Sequence, residues 1–414
     1  MIQRPRNPSR YEHPAVVLDL SANGLGVVRS LAHHGIPIYA FDAPPKDQLG
    51  KTRLARSGTC PHPVQEESRL LQFLEDLGKT FEKQAVLYLG SDDYLYFASK
   101  NRSRLAQYYR FLLPDHELIE AVLDKRLTHE LARSHGMVCP QTFVIETEAQ
   151  LDDIIPQLAF PCILKPAFSS DYRKRLNRKA IVMRNANQLR RDYPYYRKYG
   201  QLLVQELIPG DETCLVGVGT LFDDSMELVG VFSGRKLHQY PPYFGTGSIA
   251  ISRRDEEAIE MTMGLFQALN LKGLAKVEYK RDPRDGALKF IEINARTWFW
   301  HGLATRCGVD LSLLYYQLLT GQVPEPATTQ VDGVKWVYFV RDFIASTEQW
   351  RDGNLPVSAW LKNMAGPKEY ALFVWRDPMP ALRYAIWHFR HGWSPRVGSQ
   401  DNPLALESIQ PPMR

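Results

Sequence analysis

An α/β protein of more than one domain, opening on a Rossmann-like unit, is what this 414-residue sequence predicts. Three stretches point to it. "AVVLDLSANGLGVVRSLAHHGIPIYAFD" (15–42) reads as strand, turn, helix, strand, a βαβ unit. "AVLYLGSDDYLYFASKN" (85–101) repeats the strand-then-loop pattern. "LAKVEYKRDPRDGALKFIEINAR" (274–296) reads as two strands around the turn "DPRDG".

The length exceeds one ordinary core, so two or three domains are expected. Hydrophobic residues are 44% and charged residues 23%, an ordinary globular balance. The net charge of +5 suits an anionic small ligand as well as nucleic acid and decides little. Cys60, Cys139, Cys162, Cys214 and Cys307 form no CxxC pair, which argues against a zinc site and a disulfide framework and for a reducing compartment. The polar start "MIQRPRNPSRYEHP" shows no signal peptide, and no apolar run is long enough to span a membrane. The expected location is cytoplasmic.

In the first βαβ unit, "SANGLG" resembles a dinucleotide fingerprint but lacks a third well-placed glycine; Asp42 ends the second strand. A nicotinamide site and a plain scaffold are the two readings. "GSDD" sits at the carboxyl end of its strand, where open α/β sheets bind ligands, which makes Ser91 and Asp92 substrate candidates.

The periodicity of Leu123, Leu127 and Leu131 predicts one helix over 118–136, stopped by Gly136, with Lys125 off the stripe. "VCPQTFVIE" follows as a strand. Lys165 lies inside the apolar strand "ILKP", where a lysine needs an anion close by, phosphate being a good candidate. The next loop carries Arg173, Lys174, Arg175, Arg178 and Lys179, read either as solvated surface or as a cover over phosphates. "LLVQELIPGDE" (202–212) is another strand, running into Gln205, Glu206, a Pro–Gly turn, Asp211 and Glu212.

Centring the last hairpin on Asp285 sets Glu278 opposite Glu292 and Lys276 opposite Asn294. Directly opposed carboxylates, with Cβ atoms about 5 Å apart, destabilise a sheet. A divalent cation would remove that repulsion; so would lysines such as Lys276 and Lys280. Glu278, Glu292 and Asn294 on a rigid face suit Mg²⁺, which completes its shell with water and phosphates.

Taken in order, "DK" at 124–125, "ILKP", "LLVQELIPGDE", "VEY" at 277–279 and "EINAR" at 292–296 resemble the ATP-grasp superfamily, in particular its D-aspartate ligase-like carboxylate–amine ligases. The match covers roughly 15–320. The resemblance implies a Rossmann-like pre-ATP-grasp domain over 1–115 and a two-lobed ATP-grasp domain over 116–325 (small lobe about 135–210, large lobe about 211–325). A C-terminal extension, 326–414, would follow. It implies ATP and Mg²⁺ or Mn²⁺ as cofactors, with Lys125 and Lys165 on ATP phosphates and Gln205, Glu206 and the backbone near Leu207 at the adenine. Asp211 or Glu212 would hold the ribose, and Glu278, Glu292 and Asn294 the metal. Arg296 would act with Lys165 on the transferred phosphoryl group or acyl phosphate. The implied reaction joins a carboxylate to an amine through an acyl phosphate, needing positioning and charge neutralisation rather than a protein nucleophile.

One departure is that "AFSSDYRKRLNRK" after "ILKP" has no glycine, where many family members carry a glycine-rich phosphate loop; Ser169, Ser170 and the basic residues would replace backbone amides. "SGRKLHQYPPYFGTGS" (233–248) adds Arg235 and Lys236 as substrate candidates, with Gly245 and Gly247 in a flexible loop that closes or is simply surface. "PMPALRYAIWHFRHGW" reads as an aromatic, basic helix that packs on its own domain or meets a membrane surface or a polymer-synthesis partner. Small-molecule substrates, an amino acid on one side, are expected; nucleic acid is not. A homodimer is compatible with the sequence. Two other readings remain at this stage, an NAD(P)-dependent oxidoreductase built on the first βαβ unit and a nucleotide-binding protein without catalysis.

Overall fold

The computed structural model describes residues 11–44, 50–166, 180–198, 200–351 and 353–391. The apolar runs at the start of the chain build a parallel sheet of β1 (Ala15–Leu18), β2 (Ile38–Asp42), β3 (Arg56–Thr59), β4 (Ala85–Leu89) and β5 (Tyr109–Arg110), in the order β3-β2-β1-β4-β5. β1 is buried throughout, as a central parallel strand must be.

The glycines of "SANGLG" have packing roles. A Cβ on Gly24 would sit 1.8 Å from the Asp19 carbonyl oxygen. One on Gly26 would sit 3.0 Å from the backbone nitrogen of Gly302, where the helix Ala22–His33 crosses the helix His301–Arg306. Asp42 is buried and accepts from the amides of Leu20 (3.1 Å) and Ala43 (2.8 Å). Its carboxylate closes the chain on itself, so the resemblance to a nicotinamide fingerprint is explained by local structure.

The predicted single helix over 118–136 is two, His116–Leu123 and Lys125–Ser134. Asp124 between them is extended, and its carboxylate caps the amides of Arg126 (2.7 Å) and Leu127 (3.2 Å). The break rotates the fully buried face to Ile119, Val122, Thr128, His129 and Ala132, and the leucine stripe is only half-buried.

A four-stranded sheet follows, β6 (Thr142–Ile145), β7 (Cys162–Pro166), β8 (Ile181–Met183) and β9 (Leu202–Glu206), ordered β6-β9-β7-β8. It has its own small core around Ile145, Leu164, Met183 and Val204. The largest sheet has seven strands, in the order β14-β13-β10-β11-β12-β15-β16. These are β10 (Leu215–Phe222), β11 (Leu228–Tyr240), β12 (Thr246–Ser252), β13 (Gly273–Arg281), β14 (Leu288–Asn294), β15 (Lys335–Val337) and β16 (Lys368–Tyr370). The region set apart as a C-terminal extension thus supplies two strands of this sheet, β15 pairing with β12 and β16 with β15.

One face of the large sheet packs on the helix Glu256–Ala268 through Val216, Val218, Val277 and Tyr279. On the other face, Gly217, Gly219 and Gly234 leave a floor without side chains, and Trp298 and Trp300 lie on it. The same tryptophans share one core with Val17 and Tyr88 of the first sheet and Trp336 of β15, so that core joins three parts of the chain. In the helix Met379–His391, Tyr384 and His388 are buried, while Leu382, Ile386 and Phe389 are exposed.

A Cβ at Gly219 would lie 2.1 Å from the Trp298 ring, whereas at Gly264, in an exposed helix position, it would meet nothing within 4 Å. Gly219→Ala is expected to destabilise by about 1–3 kcal/mol through overpacking. Gly264→Ala is expected to be neutral or stabilising by up to about 1 kcal/mol. Paired urea melts test this; a Gly219→Ala protein as stable as the parent would show that the tryptophan floor yields.

Candidate active site

The β13–β14 hairpin has the register set by its turn, with Glu278 opposite Glu292 and Lys276 opposite Asn294, followed by an irregularity between Glu278 and Tyr279. The cation that offsets the paired acids is an ammonium. Glu278 accepts from Lys236 Nζ at 2.9 Å and from Lys276 Nζ, and the three residues are only 7%, 7% and 3% exposed. Burial alone would push the Glu278 carboxyl up, but the two lysines hold it well below the usual carboxylate range. Burial lowers the Lys276 pKa, and Glu278 partly restores it. Its Nζ also lies 5.1 Å above the Trp300 ring. With both oxygens in ion pairs, Glu278 is not available to a metal in this arrangement, which corrects its place in the expected ligand set.

Glu292 and Asn294 are half-buried and adjacent on the same face. Asn294 Nδ2 donates to Glu292 Oε1 (3.3 Å), and Arg296 Nη2 donates to Asn294 Oδ1 (2.9 Å). Arg296 Nε donates to Asp92 Oδ1 (2.6 Å) at the carboxyl end of β4, so the two sheets meet through this pair. Ser91 caps the helix Asp92–Lys100, accepting from the Tyr94 amide (3.4 Å). Among the described residues no group of three or more His, Cys, Asp or Glu side chains is placed to hold a metal. A carboxylate and an amide suit an ion that draws its other ligands from phosphates and water, as Mg²⁺ does.

Lys165 projects from β7 and donates to Gln205 Oε1 (2.7 Å), whose Nε2 donates to Thr142 Oγ1 (2.8 Å). Gln205, expected at the adenine, instead positions the lysine. Burial and then the nearby charge of Lys125 lower the Lys165 pKa to about 7, while Glu292 works the other way. Lys125, Lys165 and Glu292 are therefore electrostatic neighbours. His129, packed behind them, is held at about 4 by burial and then by the charge of Lys165.

Glu206 is the clearest correction. It lies in ion pairs with Lys289 (3.1 Å) and Arg284 and accepts from the Gln141 amide (3.2 Å), so the "DPRDG" turn holds it and it is not free for a base. Leu207 and Phe244 instead pack on Ile163, Ala180 and Val182, an apolar slot beside Lys165. Phe244 carried no signal in sequence beyond a glycine-rich loop. Of the two ribose acids, Asp211 caps its own turn at Thr213 (2.9 Å). Glu212 is buried, its pKa raised by that burial, and it accepts from the Tyr243 amide (3.2 Å).

Arg235, a substrate candidate, alternates to the opposite face from Lys236 and pairs with Asp255 (2.8 Å), against the helix Glu256–Ala268. That removes it from the site. The segment 240–246 is tied down: Gln239 Nε2 donates to the Tyr243 carbonyl (2.8 Å) and Asn354 Nδ2 to the Tyr243 hydroxyl (3.0 Å). Ser169, Ser170, Arg173, Lys174, Arg175, Arg178 and Lys179 lie outside the described residues.

No family model matches the sequence. The chain is 26% identical over 317 residues to the D-aspartate ligase of Enterococcus faecium (strain Aus0004), spanning 72% of this chain and 74% of that protein. Its fold matches N5-carboxyaminoimidazole synthetase from Staphylococcus aureus, solved with ADP, at a TM-score of 0.60 and 16% identity, over 77% of this chain and 79% of that one. It also matches L-amino acid ligase from Bacillus licheniformis at a TM-score of 0.57 and 16% identity, over 75% of each chain. The chain is thus a homologue of D-aspartate ligase with the fold of these two enzymes, as the resemblance to the ATP-grasp superfamily implies.

Proposed function

We propose that the protein uses ATP and Mg²⁺ to join a carboxylate to an amine through an acyl phosphate, with an amino acid, aspartate by analogy with the E. faecium relative, on one side. The observation that carries this reading is the convergence on one face of Glu292, Asn294 and Arg296 with Lys165, Lys125 and the Lys236–Glu278–Lys276 group. Glu292 and Asn294 would hold Mg²⁺, which neutralises phosphate charge when bound. The slot of Ile163, Val182, Leu207 and Phe244 takes the adenine and Glu212 the ribose. Five free cysteines among the described residues agree with a cytoplasmic location.

The chain's own residues do the following. Lys165, fixed by Gln205, presents its ammonium to the phosphates, with Lys125 beside it. The substrate carboxylate oxygen attacks the γ-phosphorus and ADP departs. Arg296, drawn from Asp92, steadies the acyl phosphate, and Asp92 at the carboxyl end of β4 meets the incoming amine. The amine nitrogen then attacks the acyl carbon, the C–O bond to phosphate breaks and the nitrogen's proton passes to the departing phosphate. Lys236 and Lys276, held rigid by Glu278 and Trp300, supply fixed positive charge to the oxyanion that forms.

The lowered Lys165 pKa yields a pH signature. Near pH 8 its amine is mostly neutral in the free protein, and phosphates raise its pKa toward the ordinary lysine value. Mg·ATP binding is therefore expected to take up a proton above about pH 7, read as a calorimetric enthalpy that depends on buffer ionisation. Uptake should vanish at pH 6 and in Lys165→Met, whose ATP affinity should also fall about ten- to a hundred-fold. Uptake unchanged in Lys165→Met would remove this lysine from the site.

The reaction itself is tested with hydroxylamine. With D-aspartate, Mg·ATP and hydroxylamine but no amine, a hydroxamate and ADP should form, since hydroxylamine traps acyl phosphates. AMP and pyrophosphate would mean adenylation and refute the mechanism. Glu292→Gln should abolish turnover and lose most of the melting-temperature rise that Mg·nucleotide gives the parent.

A further inference from the structure

Arg341, near the start of the helix Phe339–Arg351, is unlike the other arginines of the interior. Its guanidinium carbon lies 4.6 Å from the centre of the Tyr338 ring, 5.0 Å from Phe299, 5.8 Å from Tyr384 and 5.9 Å from Tyr240. Its Nε donates to the Tyr384 hydroxyl at 2.8 Å. Among the described residues its two outer nitrogens meet no carboxylate or carbonyl, and its polar neighbours are the Tyr338 and Tyr384 hydroxyls. Tyr338 and Tyr384 are buried while Arg341, Tyr240 and Phe299 are half-buried, so the recess is closed behind the guanidinium and open in front.

Its position ties it to the reaction. Tyr240 lies four residues beyond Lys236 on β11, and Phe299 three beyond Arg296. Tyr338 follows β15, which is two strands from β11, about 10 Å at ordinary spacing. Phe299 stacks on Tyr338 (5.5 Å, 19°), extending the Trp298–Trp300 wall along the same sheet face. Two parallel N–H donors on a planar cation match a carboxylate, and aromatic walls that exclude water strengthen the contact.

We propose that Arg341 binds the non-reacting carboxylate of the amino-acid substrate, holding that substrate so that its reacting end lies at Lys236, Lys276 and Arg296. The proposal rests on the ligase reading above and adds where substrate specificity resides. It also gives the C-terminal region a share of the site, since Arg341, Tyr338 and Tyr384 all come from it.

The test measures D-aspartate binding to the protein saturated with Mg·ADP, for the parent, Arg341→Lys and Arg341→Met. Affinity should fall at least ten-fold in Arg341→Met and less in Arg341→Lys, with Mg·ADP affinity unchanged in both. The two monoamides of D-aspartate complete the experiment. The parent should bind one of them at least ten-fold more weakly than D-aspartate, and Arg341→Met should not distinguish that monoamide from D-aspartate. A parent that holds Mg·ADP but no D-aspartate, or an Arg341→Met protein that keeps parental D-aspartate affinity while only its melting temperature drops, would leave Arg341 as a packing anchor and overturn the proposal. Absence of hydroxamate and ADP with a parent that does bind D-aspartate would instead count against the ligase mechanism alone.

Discussion

The Glu278 carboxylate between Lys236 and Lys276 is the contact around which the large sheet is organised. Three charges from two strands are taken out of water together, and burial on that scale is tolerated only when the charges are paired in good geometry. Lys236 could not reach across to the acid if β10 carried side chains on this face. Gly217, between β11 and β13, leaves the lane open, and a Cβ there would sit 2.8 Å from the Lys276 side chain and from Trp300. The tryptophans that cover the glycines also cover the lysine stems. Tight packing and buried charge are thus one arrangement, and each part restricts what the others can be.

The site sits where separately built pieces meet. Lys165 belongs to the four-stranded sheet, Glu292 and Asn294 to the seven-stranded one, and Asp92 to a helix of the first sheet. Glu206, Arg284, Lys289 and Asp282 form an ion-pair group that clamps the end of β9 to the β13–β14 turn. Burial and then the side-chain bond from Arg284 and the charges of Lys289 act on Glu206 in opposite directions, and the cations win, leaving it below its ordinary value. An acid so held does not recognise a ligand. Its ion pairs join β9, the neighbour of the Lys165 strand, to β14, the strand of Glu292.

The hairpin register was legible because a strand alternates every residue and a short turn has one centre, so pairing Glu278 with Glu292 needed no tertiary information. What neutralised the pair was not legible. Lys236 lies 42 positions from Glu278, and nothing local says that β11 lies two strands away across a glycine lane. The break in the helix over 118–136 is hidden for a related reason. Asp124 fits the helical periodicity, and only its side-chain bonds to the next two amides show that it ends one helix and starts another. Arg235 and Lys236, neighbours on a strand, face opposite ways, so only one of them can line the site, a rule the sequence already contained. The strand "KWV" lies in the strand-like run "VKWVYFVRDF", but "KEY" is too short for any pattern, and the pairing of both with the large sheet was not legible.

That missing part changes how the chain divides. Arg29 of the first helix donates to the carbonyls of Tyr370 (2.7 Å) and Ala371 (3.0 Å), and the Thr52 hydroxyl donates to Asp377. The C-terminal region therefore bonds to the first sheet while adding strands to the last. Trp336, Phe299 and Tyr338 continue the apolar wall begun by Trp298 and Trp300. The stretch "TWFWHG" belongs to this wall as much as to the site. Trp298 and Trp300 lie on the glycine floor, Phe299 stacks on Tyr338, and this one segment connects the charged face at Glu278 to the aromatic recess at Arg341. A chain ending near residue 325 would keep Lys165, Glu292, Asn294 and Arg296 but expose that wall, so the reacting groups and the stability of the face that carries them are not separable in this fold.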